Sequence, residues 1–219
     1  MFLINSNREY RLWHQLTVKL EKLVTLPEAK GHLLPLYEKF ISTFEKKINQ
    51  LTLARIAIVI SHSLNGKCKI CRIPSSFIIY HCLVDNAKSI AFLTSIAGKV
   101  LDQKRVDANV LCIMEAAHFK LLSGDAPGTL AATESCQLLL DGLHDVDPLI
   151  HASFYRVAAD YDKVKANYSR YYKNALLYLA CIPDVQKDLS KAERTARAHD
   201  LGLSALLGDN IYNFGELVL

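Results

Sequence analysis

Apolar residues recur every three or four positions along almost the whole chain, whereas strict alternation of apolar and polar residues is absent over most of it. A spacing of three to four places apolar side chains on one face of an α-helix, while alternation would place them on one face of a strand. The pattern therefore predicts a nearly all-α protein. The first two apolar stripes consist of Leu12, Trp13, Leu16, Leu20, Leu23 and Val24, and of Leu33, Leu36, Tyr37, Phe40, Ile41, Phe44 and Ile48.

Prolines, glycines and capping residues divide these stripes into helices joined by short loops. The first helix should end before Pro27, because a residue that precedes proline is disfavoured in the α conformation. Asn49 is a suitable cap for a third helix, and Asp147-Pro148 is typical of a helix start. Gly124 and Gly208 are expected to end helices in the left-handed conformation. Further helices are predicted at about 86–101, 106–122, 127–142, 148–166, 168–181 and 189–207.

The two predicted glycine stops resemble one another. Leu121-Leu122-Ser123-Gly124-Asp125 is echoed by Leu206-Leu207-Gly208-Asp209, at a separation of about two units of roughly forty residues. A helix pair of this length cannot bury its own apolar face, so neighbouring pairs must stack. We therefore expect residues 1–219 to form an α-solenoid of stacked antiparallel helix pairs, similar to tetratricopeptide repeats. A compact helical bundle is the alternative.

Composition and charge argue against several classes of protein. The 26 basic residues are interleaved with 22 acidic ones, without the basic stripe that nucleic-acid binding requires. No apolar run reaches the ~18 residues of a membrane-spanning helix. The opening Met1–Asn5 is too short for a signal peptide. We expect no nucleic-acid partner, no membrane association, and a location in the cytoplasm and nucleus.

The six cysteines raise the question of a metal or redox site. They are scattered along a chain with a sizeable core, which favours reduced thiols over a disulfide framework. Cys68 and Cys71 have the spacing of a zinc knuckle, and His62, His81 and Cys82 are near them in sequence. A second paired knuckle is missing, and so is the strand that normally precedes a redox pair. Free thiols are the favoured interpretation, with zinc or redox chemistry as alternatives.

Other candidate groups have simpler explanations. His144, Asp145 and Asp147 lie between predicted helices, where polar residues are expected. The aromatic residues between 154 and 178 follow helical stripes and are expected to lie in the core rather than to stack on bases. These residues are Phe154, Tyr155, Tyr161, Tyr168, Tyr171, Tyr172 and Tyr178. We predict no catalytic, cofactor-binding or metal-binding residue, no cofactor, and no enzymatic activity.

Two segments resemble a known family. Residues 171–179, with the sequence YYKNALLYL, and residues 203–217, with the sequence LSALLGDNIYNFGEL, are similar to PCI-domain subunits of the 26S proteasome lid. Weaker matches occur at 12–17, 36–41, 48–51 and Phe154-Tyr155. The resemblance covers roughly 10–60 and 84–219, and residues 61–83, which contain Cys68 and Cys71, are expected to be an insertion or an irregular segment.

The resemblance implies a right-handed stack of helix pairs that leads into a winged-helix module, which is expected to be absent from this chain. It implies a non-catalytic scaffold for ubiquitin-dependent protein degradation, within a hetero-oligomer. The implied partners are other lid subunits: PCI subunits, the MPN-domain deubiquitylase dimer and the ubiquitin receptor. A PCI subunit of the COP9 signalosome or of the translation-initiation assembly, and a metal- or thiol-dependent binding module that uses Cys68 and Cys71, are the alternatives.

Overall fold

The computed structural model describes residues 2–26, 32–64, 86–144, 146–209 and 211, and all regular secondary structure in this part of the chain is helical. The chain divides into two compact units, unit 1 (Met1–Gly124) and unit 2 (Asp125–Leu219). Unit 1 contains α1 (Phe2–Thr25), α2 (Leu33–Lys39), a 3-10 turn (Ile41–Thr43), α3 (Gln50–Leu64), α4 (Asn86–Asp102) and α5 (Val106–Leu122). Unit 2 contains α6 (Ala126–Asp141), α7 (Pro148–Val164), α8 (Tyr168–Cys181), α9 (Val185–Asp188) and α10 (Lys191–Leu207).

Helices α3, α4 and α5 form the centre of unit 1. Helices α3 and α4 pack on α5 and on each other, and α1 and α2 pack against α3. Most residues of α5 are buried, and the buried positions lie on every side of the helix. A helix that is apolar all round is stable only inside a core. Its residues Ala108, Leu111, Cys112, Ala116 and Phe119 belong to the same core as the buried residues of α1 to α4.

Unit 2 is a set of adjacent helix pairs. Helix α7 packs against α8, α8 against α10, and α6 against α7. One of its buried clusters consists of Ala159, Tyr171, Tyr172, Ala175, Leu201 and Ala205. The predicted all-α fold with helices packed as adjacent pairs is confirmed, and the pairing of neighbours in sequence is the packing that helical repeats use.

Several predicted helix boundaries are confirmed by their caps. Asn49 Oδ1 accepts a hydrogen bond from the Leu51 amide at 2.9 Å, and Asp147 Oδ1 accepts one from the Leu149 amide at 3.0 Å. Asp125 caps α6 in the same way, through the amide of Gly128. These side chains satisfy backbone donors that have no partner within the helix, so the chain carries its own signals for where α3, α6 and α7 begin.

Among the described residues, three turns between helices contain a residue in the left-handed region. These residues are Lys104 (φ 60°), Gly124 (φ 88°) and Ala166 (φ 56°). After α7, the Ala166 amide donates to the Lys163 carbonyl and the Asn167 amide to the Asp162 carbonyl. This is the Schellman arrangement, which satisfies the last carbonyls of a helix. The expectation for Gly124 is confirmed.

The expectation for Gly208 is wrong. Gly208 has φ −79° and ψ 134°, which is extended rather than left-handed. A side chain at this position would collide with the Ile211 side chain and the Ser204 carbonyl. The glycine is therefore required by close packing at the end of α10, so the sequence echo between positions 124 and 208 does not reflect two equivalent turns.

The second apolar stripe does not form one helix. Helix α2 ends at Lys39, and Ile41–Thr43 forms a 3-10 turn. The Ser42 hydroxyl donates to the Glu38 carbonyl and the Thr43 hydroxyl to the Phe40 carbonyl, both at 2.7 Å. Hydroxyls that bond to nearby carbonyls compete with regular helix formation. Ile41, Phe44 and Ile48 are nevertheless buried in the core, which explains why the apolar spacing continues beyond the end of α2.

Two further observations concern segments singled out by the sequence. Helix α3 continues to Leu64, so residues 61–64 of the predicted irregular segment 61–83 are helical, and the rest of it lies outside the described residues. Within the described ranges, none of the helices combines the length and the apolar character that crossing a lipid bilayer requires.

We predict that Ala166→Gly stabilises the protein. Alanine in the left-handed region is strained, and glycine is not, so the free energy of unfolding should rise by about 0.5–1 kcal/mol after the greater flexibility of glycine in the unfolded chain is counted. Urea unfolding followed by circular dichroism measures the change. Lys165→Gly, one residue earlier at φ −84°, is the matched control and should destabilise; stabilisation by both would contradict the explanation.

We also predict that the start of α10 depends on a capping box. The Ser190 hydroxyl accepts from the Glu193 amide, and Glu193 accepts from the Ser190 amide at 3.0 Å. Ser190→Ala should lower the free energy of unfolding by about 1 kcal/mol. Ser135→Ala, on the exposed side of α6, removes a hydroxyl without removing a cap and should cause no loss.

The capping box predicts a pH dependence as well. Hydrogen bonds from the Ser190 side chain and amide lower the pKa of Glu193. A carboxyl whose pKa is lowered by folding stabilises the protein above its unfolded pKa, and this contribution is lost as the pH falls through the folded value. The stability difference between wild type and Glu193→Gln should therefore shrink in acid. An unchanged difference across urea titrations from neutral to acidic pH would refute this assignment.

Candidate interaction surfaces

The candidate metal ligands are only partly within the described residues. Cys68, Cys71, His81 and Cys82 lie outside them. His62 lies near the end of α3, where its Nε2 atom is 2.8 Å from Oε1 of Glu115 on α5. The Glu115 side chain is only 4% exposed, and a buried carboxylate requires polar partners. His62 therefore contributes to the packing of α3 on α5.

The described cysteines lie in protected positions. Cys112 and Cys136 are buried and Cys181 is partly buried, and all three are free thiols. Burial raises the pKa of Cys112 to about 12 and that of Cys136 to about 11. These thiols are protonated at neutral pH, and the thiolate is the reactive form. In the part of the chain that the structure describes, no group of three or more His, Cys, Asp or Glu residues is arranged to hold a metal ion.

The polar residues between α6 and α7 match the simpler interpretation. His144 is exposed, Asp147 caps α7 through the Leu149 amide, and Asp145 lies outside the described residues. A carboxylate that accepts from a helix N-terminus has a structural role. Among the described residues of this turn, Asp147 therefore has the structural role of starting α7.

Most of the aromatic residues of α7 and α8 lie in the core. Phe154, Tyr171, Tyr172 and Tyr178 are buried, Tyr155 and Tyr161 are partly buried, and Tyr168 is exposed. Burial raises the pKa of Tyr171 to about 12. The prediction that this cluster belongs to the helix packing is confirmed for the buried residues, since a stacking surface for bases would need exposed ring faces.

Two ion pairs connect α10 to α7. Arg197 Nη1 lies 3.2 Å from Asp160 Oδ1, and both side chains are largely buried. Lys163 Nζ lies 2.5 Å from Asp200 Oδ2. The Arg197 guanidinium also lies 5.2 Å from the centre of the Tyr178 ring on α8, within the range of a cation–π interaction. Together these contacts fix which side of α10 faces the core of unit 2.

Three leucines near the end of α10 are exposed. Leu203, Leu206 and Leu207 are exposed, and Leu206 is 76% accessible. Single exposed apolar residues are ordinary, whereas several on one helix mark a surface suited to binding another protein. We call these three residues the outer face of α10. The leucines of the outer face lie in the 203–217 segment, which the sequence already singled out. Apolar spacing alone could not show that these leucines are exposed while Leu201 is buried.

The second apolar surface of the chain lies in unit 1, between α1 and α2. A groove with a volume of about 380 Å³ is lined by Leu23, His32, Leu33, Pro35, Leu36, Lys39 and Phe40. We call it the α1–α2 groove. The apolar spacing predicts that Leu23 and Phe40 lie on the core faces of their helices, yet they are 40% and 44% exposed. Sequence reasoning missed this groove because it arises where α2 ends early.

Comparison with known proteins identifies the family. The family model described as PSD13 N-terminal repeats matches residues 4–219. The chain is 37% identical over 213 residues to 26S proteasome non-ATPase regulatory subunit 13 homolog A of Arabidopsis thaliana, covering 95% of this chain and 50% of the relative. It is 36% identical over 211 residues to the probable 26S proteasome regulatory subunit rpn9 of Schizosaccharomyces pombe, covering 96% of this chain and 49% of the relative.

A more distant relative gives the same result. The 26S proteasome regulatory subunit RPN9 of Saccharomyces cerevisiae is 30% identical over 221 residues, covering 96% of this chain and 51% of the relative. The chain thus spans about half the length of the curated relatives that it matches. The resemblance to proteasome lid subunits found in the sequence is confirmed. From its matched residues and its paired helices, the chain belongs to the family of PSD13 N-terminal repeats.

Proposed function

We propose that this chain forms the helical-repeat part of a non-catalytic structural subunit of the 26S proteasome lid, where it acts as a scaffold for ubiquitin-dependent protein degradation. The observation that carries the proposal is the family match over residues 4–219, together with relatives that are named as 26S proteasome regulatory subunits. Those relatives are also named as regulatory or non-ATPase subunits, which supports a structural role rather than an enzymatic one.

The distribution of side chains supports a scaffold. The ion pairs of Asp160 and Asp200 join α7 to α10, so these charged groups are explained by helix packing. The outer face of α10 and the α1–α2 groove leave apolar side chains exposed. Specific protein interfaces bury on the order of 800 Å² per partner, and apolar patches on helical repeats are a usual place for them.

The partners that we propose are neighbouring lid subunits in a hetero-oligomer. They comprise PCI subunits, the MPN-domain deubiquitylase dimer and the ubiquitin receptor, in the cytoplasm and nucleus where proteasomes act. The relatives' names favour the proteasome over the COP9 signalosome and the translation-initiation assembly. A winged-helix module following the repeats stays a prediction.

The experiment is affinity purification of the tagged chain from its native cells, followed by mass spectrometry. We expect lid subunits to be recovered in near-stoichiometric amounts with the tagged chain. The tag alone is one control. A second is Val157→Asp, which places a charge at a fully buried position of α7 and should abolish recovery. Recovery of signalosome or initiation-factor subunits in place of lid subunits would refute the proposal.

A further inference from the structure

The two units carry opposite net charge. Of the 26 basic residues, 17 lie in residues 1–124, which contain only 9 of the 22 acidic ones. Unit 1 is therefore strongly basic and unit 2 is mildly acidic, although the whole chain has a net charge of only +4. Complementary charge speeds the encounter of two proteins and selects between partners. A partner of unit 1 is expected to be acidic.

The α1 side of the α1–α2 groove combines apolar and basic side chains. Leu23 lines the groove, and Leu26 is exposed just beyond the end of α1. Lys19 is exposed and lies four residues before Leu23, which places both on the same face of the helix. Glu21 lies two residues from Leu23 and so points about 200° away around the helix.

The α2 side has the same character. Leu33 is buried at the base of the groove, and Lys39 and Phe40 line it. Glu38 is exposed and lies three residues after Pro35, so it borders the groove without being among its described lining residues. His32 and Lys39 are the ionisable residues in the lining, and no acidic residue is among the described residues that form it.

Glu45, which follows the 3-10 turn, already has partners. Glu45 Oε2 lies 3.0 Å from Lys99 Nζ on α4 and accepts a hydrogen bond from the Tyr37 hydroxyl at 3.0 Å. Its charge is thereby directed towards α4. The basic character of the groove is therefore not cancelled by Glu45.

From these observations we infer that the α1–α2 groove docks an amphipathic helix of a partner protein, with large apolar side chains on one face and acidic residues beside them. The groove volume of about 380 Å³ lies at the lower end of the roughly 300–1,000 Å³ of typical binding cavities. It suits the anchor side chains of a helix, which recur at intervals of three or four residues. The inference rests on the proposed function and specifies the chemistry of one partner.

The chain contains a reporter for this groove. Trp13 is the single tryptophan, and its ring lies 5.6 Å from that of Phe44, which lies 4.8 Å from the ring of Phe40 in the groove lining. Its indole fluorescence should respond when Phe40 is covered. The probes are two synthetic amphipathic peptides with the same leucine positions, one with glutamate and the other with lysine at the remaining positions.

Titration of the full 219-residue chain with each peptide tests the inference. The glutamate peptide should give a saturable change in Trp13 fluorescence, with a dissociation constant at least about tenfold lower than that of the lysine peptide. The difference should shrink in roughly 1 M salt, where charges are screened within about 3 Å. Absence of saturable binding, or equal binding of both peptides, would overturn the inference.

Matched variants locate the binding. Lys39→Glu and Leu23→Gln should each weaken binding of the glutamate peptide about tenfold. Lys173→Glu and Leu138→Gln alter exposed residues of unit 2 and should leave it unchanged. Thermal unfolding by circular dichroism establishes that each variant is folded. Equal loss in both sets of variants would show that the peptide binds elsewhere.

The remaining outcomes separate this inference from the proposed function. Sedimentation of the chain alone should show a monomer; self-association that Lys39→Glu abolishes would identify a second copy as the occupant and overturn the assignment to a partner helix. Failure of peptide binding in a chain that still recovers lid subunits refutes the groove alone. Peptide binding by a chain that recovers no lid subunits supports the groove and refutes the proteasome assignment.

Discussion

Most side chains of helix α5 are buried, and those that belong to the core of unit 1 set the arrangement of the helices around them. Cys112 and Phe119 belong to a core that also contains residues of α1, α3 and α4, so these helices must present apolar faces towards α5. Glu115 is a charged residue among these buried positions, and its carboxylate contacts His62 on α3. Burying such a group without partners would cost several kcal/mol, so the pair also fixes where the end of α3 lies.

Unit 2 uses a different means to position its last helix. The inner side of α10 contributes few apolar residues to the core, namely Leu201 and Ala205. Ion pairs to α7 add to these apolar contacts. Partly buried pairs orient a helix more than they stabilise it, because desolvation offsets much of their attraction. The result is an α10 held in one rotation, with Leu203 and Leu206 turned outward. The contacts that fix the inner side of α10 thus also determine which of its leucines remain exposed for another protein to cover.

Much of the helix pattern could be predicted because its signals are local. The bounds of 106–122 and 168–181 agree with α5 and α8, since caps and turn residues act within one helical turn. Prediction failed where tertiary contacts decided the outcome. The stripe through Phe40 and Ile41 kept helical spacing while the backbone left the helix, and Gly208 is explained by its contact with Ile211 rather than by a left-handed turn.

The sequence by itself determined that the chain is helical, where most helices begin and end, and which family it resembles, because these depend on short-range periodicity, caps and recognisable segments. Only the tertiary structure decided which apolar residues are core and which are surface. Leu201 and Leu206 lie about 140° apart around α10, and each belongs to an apolar stripe, yet only Leu201 is buried. Periodicity defines a face of a helix, but which faces are covered depends on the neighbours that pack there.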